Sequence, residues 1–312
     1  MTRTILILGG GGFVGRRVAA RLAARGDRVV QVRRNGGGVQ GSDIESVTVA
    51  PDYAGLGDAV DGVAFDAIVN CAAFGVVPTD RDIDAMIRVN VDLPQQLVRL
   101  AAARGAALVH LGSSAEYAGP TGNDALTENA LPETGKSYGA SKYCGGVLMT
   151  LAAADLGVKS AVLRLFQVFG PGEAPHRLLP SLVTRLGRGE RVAMSAGTQV
   201  RDFIHVDDAA SAVAASIDAL ADGRLDAARS FNVSTGTGTA VRAFAETVAD
   251  KMGVDRQLLS FGEIAMRPGE IAYLVGDPAA FSAATGWSPV HDVASGVAQA
   301  VAELTGAGEA RQ

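Results

Sequence analysis

Leu6-Ile7-Leu8-Gly9-Gly10-Gly11-Gly12-Phe13-Val14-Gly15 is the stretch whose reading decides the fold. The apolar, strand-like run Ile5–Leu8 enters the glycines, and the helix-like segment Gly15–Arg25 leaves them. A flexible linker does not fit between two apolar periodic segments. Both Gly10-x-Gly12-x-x-Gly15 and Gly9-x-x-Gly12-x-x-Gly15 satisfy a phosphate-cradling spacing, and they share their last two glycines. In a strand–loop–helix setting the exposed N–H groups and the helix dipole stabilise a pyrophosphate, while missing side chains allow close approach. Gly9, Gly12, Phe13, Val14 and Gly15 are therefore candidate dinucleotide contacts.

Outward from this loop, short apolar runs alternate with longer amphipathic segments. Val29–Val32, Val47–Val49, Ala67–Asn70, Leu108–Leu111 and Ala161–Phe166 read as strands, and Val89–Arg104 and Tyr138–Leu156 as helices. That alternation predicts βαβ units in a parallel, doubly wound, Rossmann-like α/β sheet. After Phe166 the chain is broken by Gly170-Pro171-Gly172 and punctuated by prolines. The expected organisation is a dinucleotide-binding domain over 1–166, with a returning segment around 203–235, and a smaller mixed substrate domain over 167–312.

The chain has 312 residues, 48% hydrophobic and 20% charged, enough to bury a sizeable core. A net charge of −5 without a Lys/Arg block argues against nucleic acid or an anionic membrane as partner. Cys71 and Cys144 lack metal-ligand spacing and are expected to be buried thiols with no disulfide. The run Ile5–Leu8 is too short for a signal-peptide core, and no stretch reaches the roughly 18 apolar residues of a membrane span. A soluble, cytoplasmic protein without a metal is expected.

The second strand should end in an acid if it holds the ribose hydroxyls of NAD. Here Val29–Val32 is followed by Arg33-Arg34, whose guanidinium groups suit a 2′-phosphate and an adenine face, so NADP is favoured. Further on, Tyr138 and Lys142 stand four residues apart, on one face of a helix. An ammonium so placed stabilises a phenolate and is expected to lower the tyrosine pKa, allowing proton exchange with a substrate hydroxyl.

Taken with Leu111-Gly112-Ser113-Ser114-Ala115-Glu116-Tyr117, these residues resemble the extended short-chain dehydrogenase/reductases, the sugar-nucleotide epimerase/dehydratase family. The resemblance extends through Asn70-Cys71-Ala72-Ala73, Arg164-Leu165-Phe166-Gln167-Val168-Phe169-Gly170-Pro171-Gly172, Arg201-Asp202-Phe203-Ile204-His205-Val206-Asp207-Asp208 and Arg267-Pro268-Gly269-Glu270. It implies Tyr138 as acid/base, Lys142 as its modulator and ribose ligand, and Ser113 as the hydroxyl on the reacting sugar oxygen, with Ser114 as the alternative. It also implies Asp52 on adenine and Ala72 lining the cofactor. Ser114, Gln167, Arg201 and Arg267 fall to the nucleotide-sugar substrate, the arginines at its nucleotide end.

Departures from the family pattern narrow the chemistry. The 4,6-dehydratases follow their catalytic hydroxyl with an acidic pair, and Ser114-Ala115 stands there instead. Glu116 is one residue late, on the other face of an extended segment. The loop is similar to the Gly-Ser-Ser-x-Glu-Tyr turn of 4-ketohexose reductases. Gln167 and Phe169 replace an Asn and a Tyr, and Gly145-Gly146 interrupts the active-site helix, which implies close packing, for instance against a partner helix. The leading expectation is NADPH-dependent reduction of a nucleotide-linked 4-keto-6-deoxy sugar by a homodimer paired through the two long helices. A 4-epimerase with tightly bound NAD is the runner-up, and a non-catalytic NADP-binding scaffold the third reading.

Overall fold

The chain was studied as a computed structural model, which describes residues 2–34, 45–77 and 79–309. In β1 (Thr4–Leu8), Ile5 and Ile7 point into one buried layer and Leu6 and Leu8 into another. A strand apolar on both faces needs cover on both, which a parallel sheet clad in helices provides. The elements that follow are α1 (Phe13–Ala24), β2 (Arg28–Arg34), β3 (Glu45–Val49), the short α2 (Leu56–Ala59), β4 (Ala67–Asn70), α3 (Ile83–Met86), α4 (Leu93–Arg104), β5 (Ala107–Ser113), α5 (Ser137–Asp155) and β6 (Ser160–Leu165). Next come β7 (Gln167–Phe169), α6 (Leu178–Gly187), β8 (Val192–Met194), β9 (Val200–His205), α7 (Val206–Ala221) and β10 (Arg229–Val233).

Seven parallel strands form the main sheet in the order β10-β6-β5-β4-β1-β2-β3. The chain runs from β1 through β2 to β3 at one edge and then returns to the other side of β1 for β4, the doubly wound arrangement that opens a crevice at the strands' carboxyl ends. Val18 and Leu22 of α1 and Val213 and Ile217 of α7 cover one face; Leu97 and Val98 of α4 and Met149 and Ala153 of α5 cover the other. Strand β10, far along the chain, completes the edge beside β6.

The remaining elements are β11 (Gly238–Ala240), α8 (Val241–Met252), β12 (Leu259–Phe261), β13 (Tyr273–Leu274), α9 (Ala279–Thr285) and α10 (Val293–Glu309). Strand β9 pairs antiparallel with β11 and parallel with β7 and β13, while β8 pairs with β12. Around them Leu182, Phe203, Phe244 and Val297 close a separate core. Among the described residues no helix is long and apolar enough to cross a membrane.

Three expectations are corrected. The helix expected over 89–104 is α-helical only from Leu93, and its expected first turn lies in a π-helical turn, Ile87–Asp92, lodged between α3 and α4. That turn explains Gly145: a Cβ there would lie 1.8 Å from Asn90 O, so the close packing is met within the chain rather than by a partner helix. Cys144 is exposed rather than buried, because it shares the outward face of α5 with Leu148 and Leu151.

Candidate active site

At the carboxyl ends of the strands, the glycine loop turns back on itself, Gly12 N–H donating to Gly9 O at 3.0 Å. Gly9 has φ +72°, and a Cβ on it would sit 2.7 Å from Ala72 N. A Cβ on Gly15 would sit 2.2 Å from Gly9 O, so these two glycines allow backbone to touch backbone. Gly11, by contrast, faces open space. No side chain caps α1 after Gly12, which leaves the first N–H groups of the helix, at Phe13 and Val14, for an anion. The residues present fit the pyrophosphate of a dinucleotide.

At the tip of β2 the half-buried Arg33 is followed by the exposed Arg34, whose guanidinium lies over the Tyr53 ring, 5.8 Å from its centroid. Tyr53 is buried and has φ +65°, a conformation held by the turn after β3. Asp52 Oδ1 accepts from Ala54 N–H at 3.0 Å, shaping that turn. Ala72 lies against Gly9 and donates its N–H to Asn70 Oδ1 at 3.1 Å.

Tyr138 enters the site from the first turn of α5, its ring beside Gly75. The next residue makes this possible, since a Cβ on Gly139 would lie 2.0 Å from Ala115 O. Helix α5 therefore sits directly on the 3-10 turn Ser114–Glu116, and Tyr138 shares a hydrogen bond with Ser113. Ser113 Oγ also accepts from Ala115 N–H at 3.1 Å, and its own N–H donates to Glu116 Oε1 at 2.8 Å. Ser114, the alternative hydroxyl, is buried in the turn.

The expected lowering of the Tyr138 pKa is reversed. Burial pushes the phenol up to about 12, partly opposed by the Ser113 hydrogen bond and by the nearby Arg177, and reinforced by Glu116. Lys142 points elsewhere: its Nζ donates to Leu111 O at 2.6 Å and lies 3.1 Å from His110 Nε2. Burial brings this amine down to about 8, against the pull of Glu116 and Cys71. His110 Nδ1 in turn accepts from Asn70 Nδ2 at 3.0 Å.

Glu116 faces away from the reacting side, ion-paired at 2.8 Å with Arg164, and no C5-proton base is built at the position after Ser113. Residues that sequence reasoning missed stand here. His110 reads as one more core residue in an apolar strand; only its place three residues before Ser113 marks it. Glu173 follows the Gly170-Pro171-Gly172 break, and Arg177 starts α6, with Arg177 Nε donating to Glu173 Oε1 at 3.2 Å. The Glu173 side chain is 5% exposed, its Oε2 has no hydrogen-bond partner among the described residues, and burial lifts its carboxyl to about 7.

Of the residues assigned to substrate, Gln167 is half-buried at the start of β7, opposite Phe203. Arg201, on β9, donates from Nη1 to Val200 O at 2.8 Å and is ion-paired through Nη2 with Glu270. Arg267 is exposed in the turn that Glu270 closes by donating its N–H to Arg267 O at 3.1 Å. The two arginines thus share one corner. A concavity of about 670 Å³ at the opposite end of the strands, lined by Arg3, Asp66 and Lys159, contains none of these residues.

The chain matches the NAD dependent epimerase/dehydratase family over residues 5–234. It is 28% identical over 264 residues to the dTDP-6-deoxy-L-talose 4-dehydrogenase (NAD(P)(+)) of Kitasatospora kifunensis, covering 81% of this chain and 80% of that one. Identity is 26% over 316 residues with the UDP-glucose 4-epimerase of Azospirillum brasilense, covering 94% and 89%. Among solved structures it superposes on MoeE5 in complex with UDP-glucuronic acid and NAD with a TM-score of 0.83, at 27% identity, covering 98% of this chain and 99% of that one. A family match that takes in the glycine loop, the main sheet and the Ser113–Tyr138–Lys142 group places this chain in the NAD dependent epimerase/dehydratase family.

Proposed function

We propose that the protein is a cytoplasmic, homodimeric reductase that uses NADPH to reduce a nucleotide-linked 4-keto-6-deoxy sugar. The observation that carries this reading is the tip of β2, where Arg33 and Arg34 stand in place of an acid and suit a 2′-phosphate. A cofactor consumed at each turnover belongs to net reduction rather than to internal recycling. The relative from Kitasatospora supports the reading, since its name joins a dTDP-linked 6-deoxy sugar to a 4-dehydrogenase accepting either dinucleotide. Reduction of the ketone is that type of reaction run backwards.

The dinucleotide supplies the hydride. Tyr138 donates the proton to the carbonyl oxygen, and its phenol, lifted to about 12, is fully loaded at neutral pH. Ser113 orients that oxygen, flanked by Ser114 and Gln167, and Lys142 steadies the phenolate left behind. Arg201 and Arg267 take the diphosphate, which competes with Glu270 for Arg201. Residues 167–312 hold the sugar nucleotide, while α4 and α5 pair two copies through the exposed Leu148 and Leu151. A monodisperse monomer in light scattering contradicts the pairing.

The test mixes the protein with NADPH and a panel of 4-keto-6-deoxy sugars linked to dTDP, CDP or GDP, following the reduced-nicotinamide absorbance. Its decay with one of them is expected. Flat absorbance, together with NAD released on denaturation, replaces this reading with that of a 4-epimerase, which the Azospirillum relative favours.

A further inference from the structure

Four glycines stand in a row before α1, and backbone approach at Gly9 and Gly15 accounts for only part of that run. Gly10 does not have the positive φ that calls for glycine. A Cβ on it would meet a side chain instead of backbone: Gln31, with Cδ at 2.9 Å and Nε2 at 3.2 Å. Gln31 is itself out of keeping with its strand. Its neighbours Val30 and Val32 fill one buried layer and Val29 the other. The alternation of β2 puts Gln31 between Val29 and Arg33 on a single face. The residue is 9% exposed, and its side-chain amide finds no hydrogen-bond partner among the described residues. A buried amide left in that state is destabilising, and an apolar side chain would carry no such penalty.

The amide stands where the two halves of the cofactor site meet. The loop it touches is the pyrophosphate cradle, and Arg33, two residues further along the same face, belongs to the tip of β2, where the adenosine end is received. Between a pyrophosphate and an adenine lies the ribose. A ribose hydroxyl both donates and accepts, as an amide does, whereas a phosphate only accepts. Of the two hydroxyls, the 3′ is free in NADP and NAD alike. We infer that Gln31 is a cofactor-binding residue whose amide hydrogen-bonds the 3′-hydroxyl of the adenosine ribose, and that position 10 is glycine because a larger residue would push that amide out of place. Affinity for the part shared by both dinucleotides is thereby separated from the choice between them, which the reading above leaves to Arg33 and Arg34. The role of Gln31 rests on the dinucleotide reading of the glycine loop and is independent of the sugar and of the direction of reaction.

Equilibrium titrations of the whole protein, with no sugar present, test this role. Gln31→Met keeps the length of the side chain and removes the amide. It is expected to weaken NADPH and NADH alike by about three- to tenfold, the strength of one neutral hydrogen bond, with the thermal midpoint unchanged or raised. Comparing ADP with 3′-deoxy-ADP removes the other partner without touching the protein. The deoxy compound is expected to bind wild type about three- to tenfold more weakly than ADP, and Gln31→Met as tightly as ADP does. Gly10→Ala is expected to lower affinity as much as Gln31→Met and to add nothing in the double variant. An equal loss with 3′-deoxy-ADP in wild type and Gln31→Met overturns the assignment. So does a loss confined to NADPH, which would place the amide on the 2′-phosphate. A Gly10→Ala effect of the same size in both backgrounds overturns the part given to Gly10, since the glycine would then serve the pyrophosphate directly. If wild type binds neither dinucleotide, the reading of the loop falls as well; if it binds both and Gln31→Met binds them as tightly, only the role of Gln31 falls.

Discussion

Two polar clusters are buried against β5 and balanced in opposite ways. Glu116 and Lys142 are both 1% exposed. Glu116 meets Arg164 at 2.8 Å, and Arg164 also donates at 2.9 Å to the Tyr117 hydroxyl, which donates to Asn232 at 2.6 Å. Lys142, equally deep, meets an imidazole and a carbonyl. Desolvation is offset by a counter-charge in the first cluster and left standing in the second. Burial brings the amine of Lys142, which makes no ion pair among the described residues, down to about 8. The paired cluster bolts β5, the 3-10 turn and β6 together, and the unpaired one is left to respond to protons.

Breaking the paired cluster gives the largest expected effect. Arg164→Met strands a carboxylate in the core and is expected to cost about 3–5 kcal/mol in denaturant unfolding. Adding Glu116→Gln should restore much of that loss, because the stranded charge is gone. An unchanged midpoint in the single variant would show that the pair carries no structural load. Tyr138→Phe tests the other side of β5: turnover is expected to fall about 10³-fold with stability and NADPH affinity kept. Comparable turnover removes Tyr138 from the proton-donating role.

The contrast also explains what could be read from the chain. The glycine loop and the Tyr138/Lys142 pair were legible because their spacing encodes geometry, through backbone approach at Gly9 and Gly15 and one helical turn between the side chains. The parallel, doubly wound sheet was legible because strand runs such as Ile5–Leu8 are apolar on both faces and alternate with helical segments. The partner of a buried polar group is not encoded that way. His110 meets Lys142 across 32 residues and Arg164 meets Glu116 across 48, distances at which no local pattern acts. The direction of the Tyr138 shift failed for the same reason, since a four-residue spacing puts Lys142 on the right face but leaves open which way its amine is drawn. The π-helical turn was hidden because its one-residue insertion hardly disturbs an apolar stripe.

Glu173 sharpens the comparison as a carboxylate in an intermediate state, with one oxygen on Arg177 and the other without a partner among the described residues. Burial raises its carboxyl from 4.5 to about 7. The folded protein therefore keeps a proton that the unfolded chain releases, and folding takes one up between those values. The stability this group contributes is fully present below pH 4.5 and is lost as pH rises through about 7. Relative to wild type, Glu173→Gln is expected to gain about 1–3 kcal/mol over that window, read as the difference in unfolding free energy at its two ends. Equal pH slopes for the two proteins would mean that Arg177 satisfies Glu173 fully, placing it with Glu116 rather than with Lys142.

The smallest effect is expected where charge is exposed. Arg34 lies over Tyr53 at the rim, so solvent screens whatever it holds, and its contact with a 2′-phosphate is worth less than the buried pairs. Arg34→Ser is expected to weaken NADPH binding by about tenfold, roughly 1.4 kcal/mol, and to leave NADH binding unchanged. The selectivity of the change matters more than its size. A loss shared equally by both dinucleotides would place Arg34 on the adenine ring, leaving Arg33 to account for any preference. A loss that vanishes at high salt for NADPH alone would locate the contact at the phosphate, because only a charge-to-charge contact in water is screened so strongly. With neither pattern, the tip of β2 would not discriminate between the cofactors, and the case for net reduction over epimerisation would fall with it.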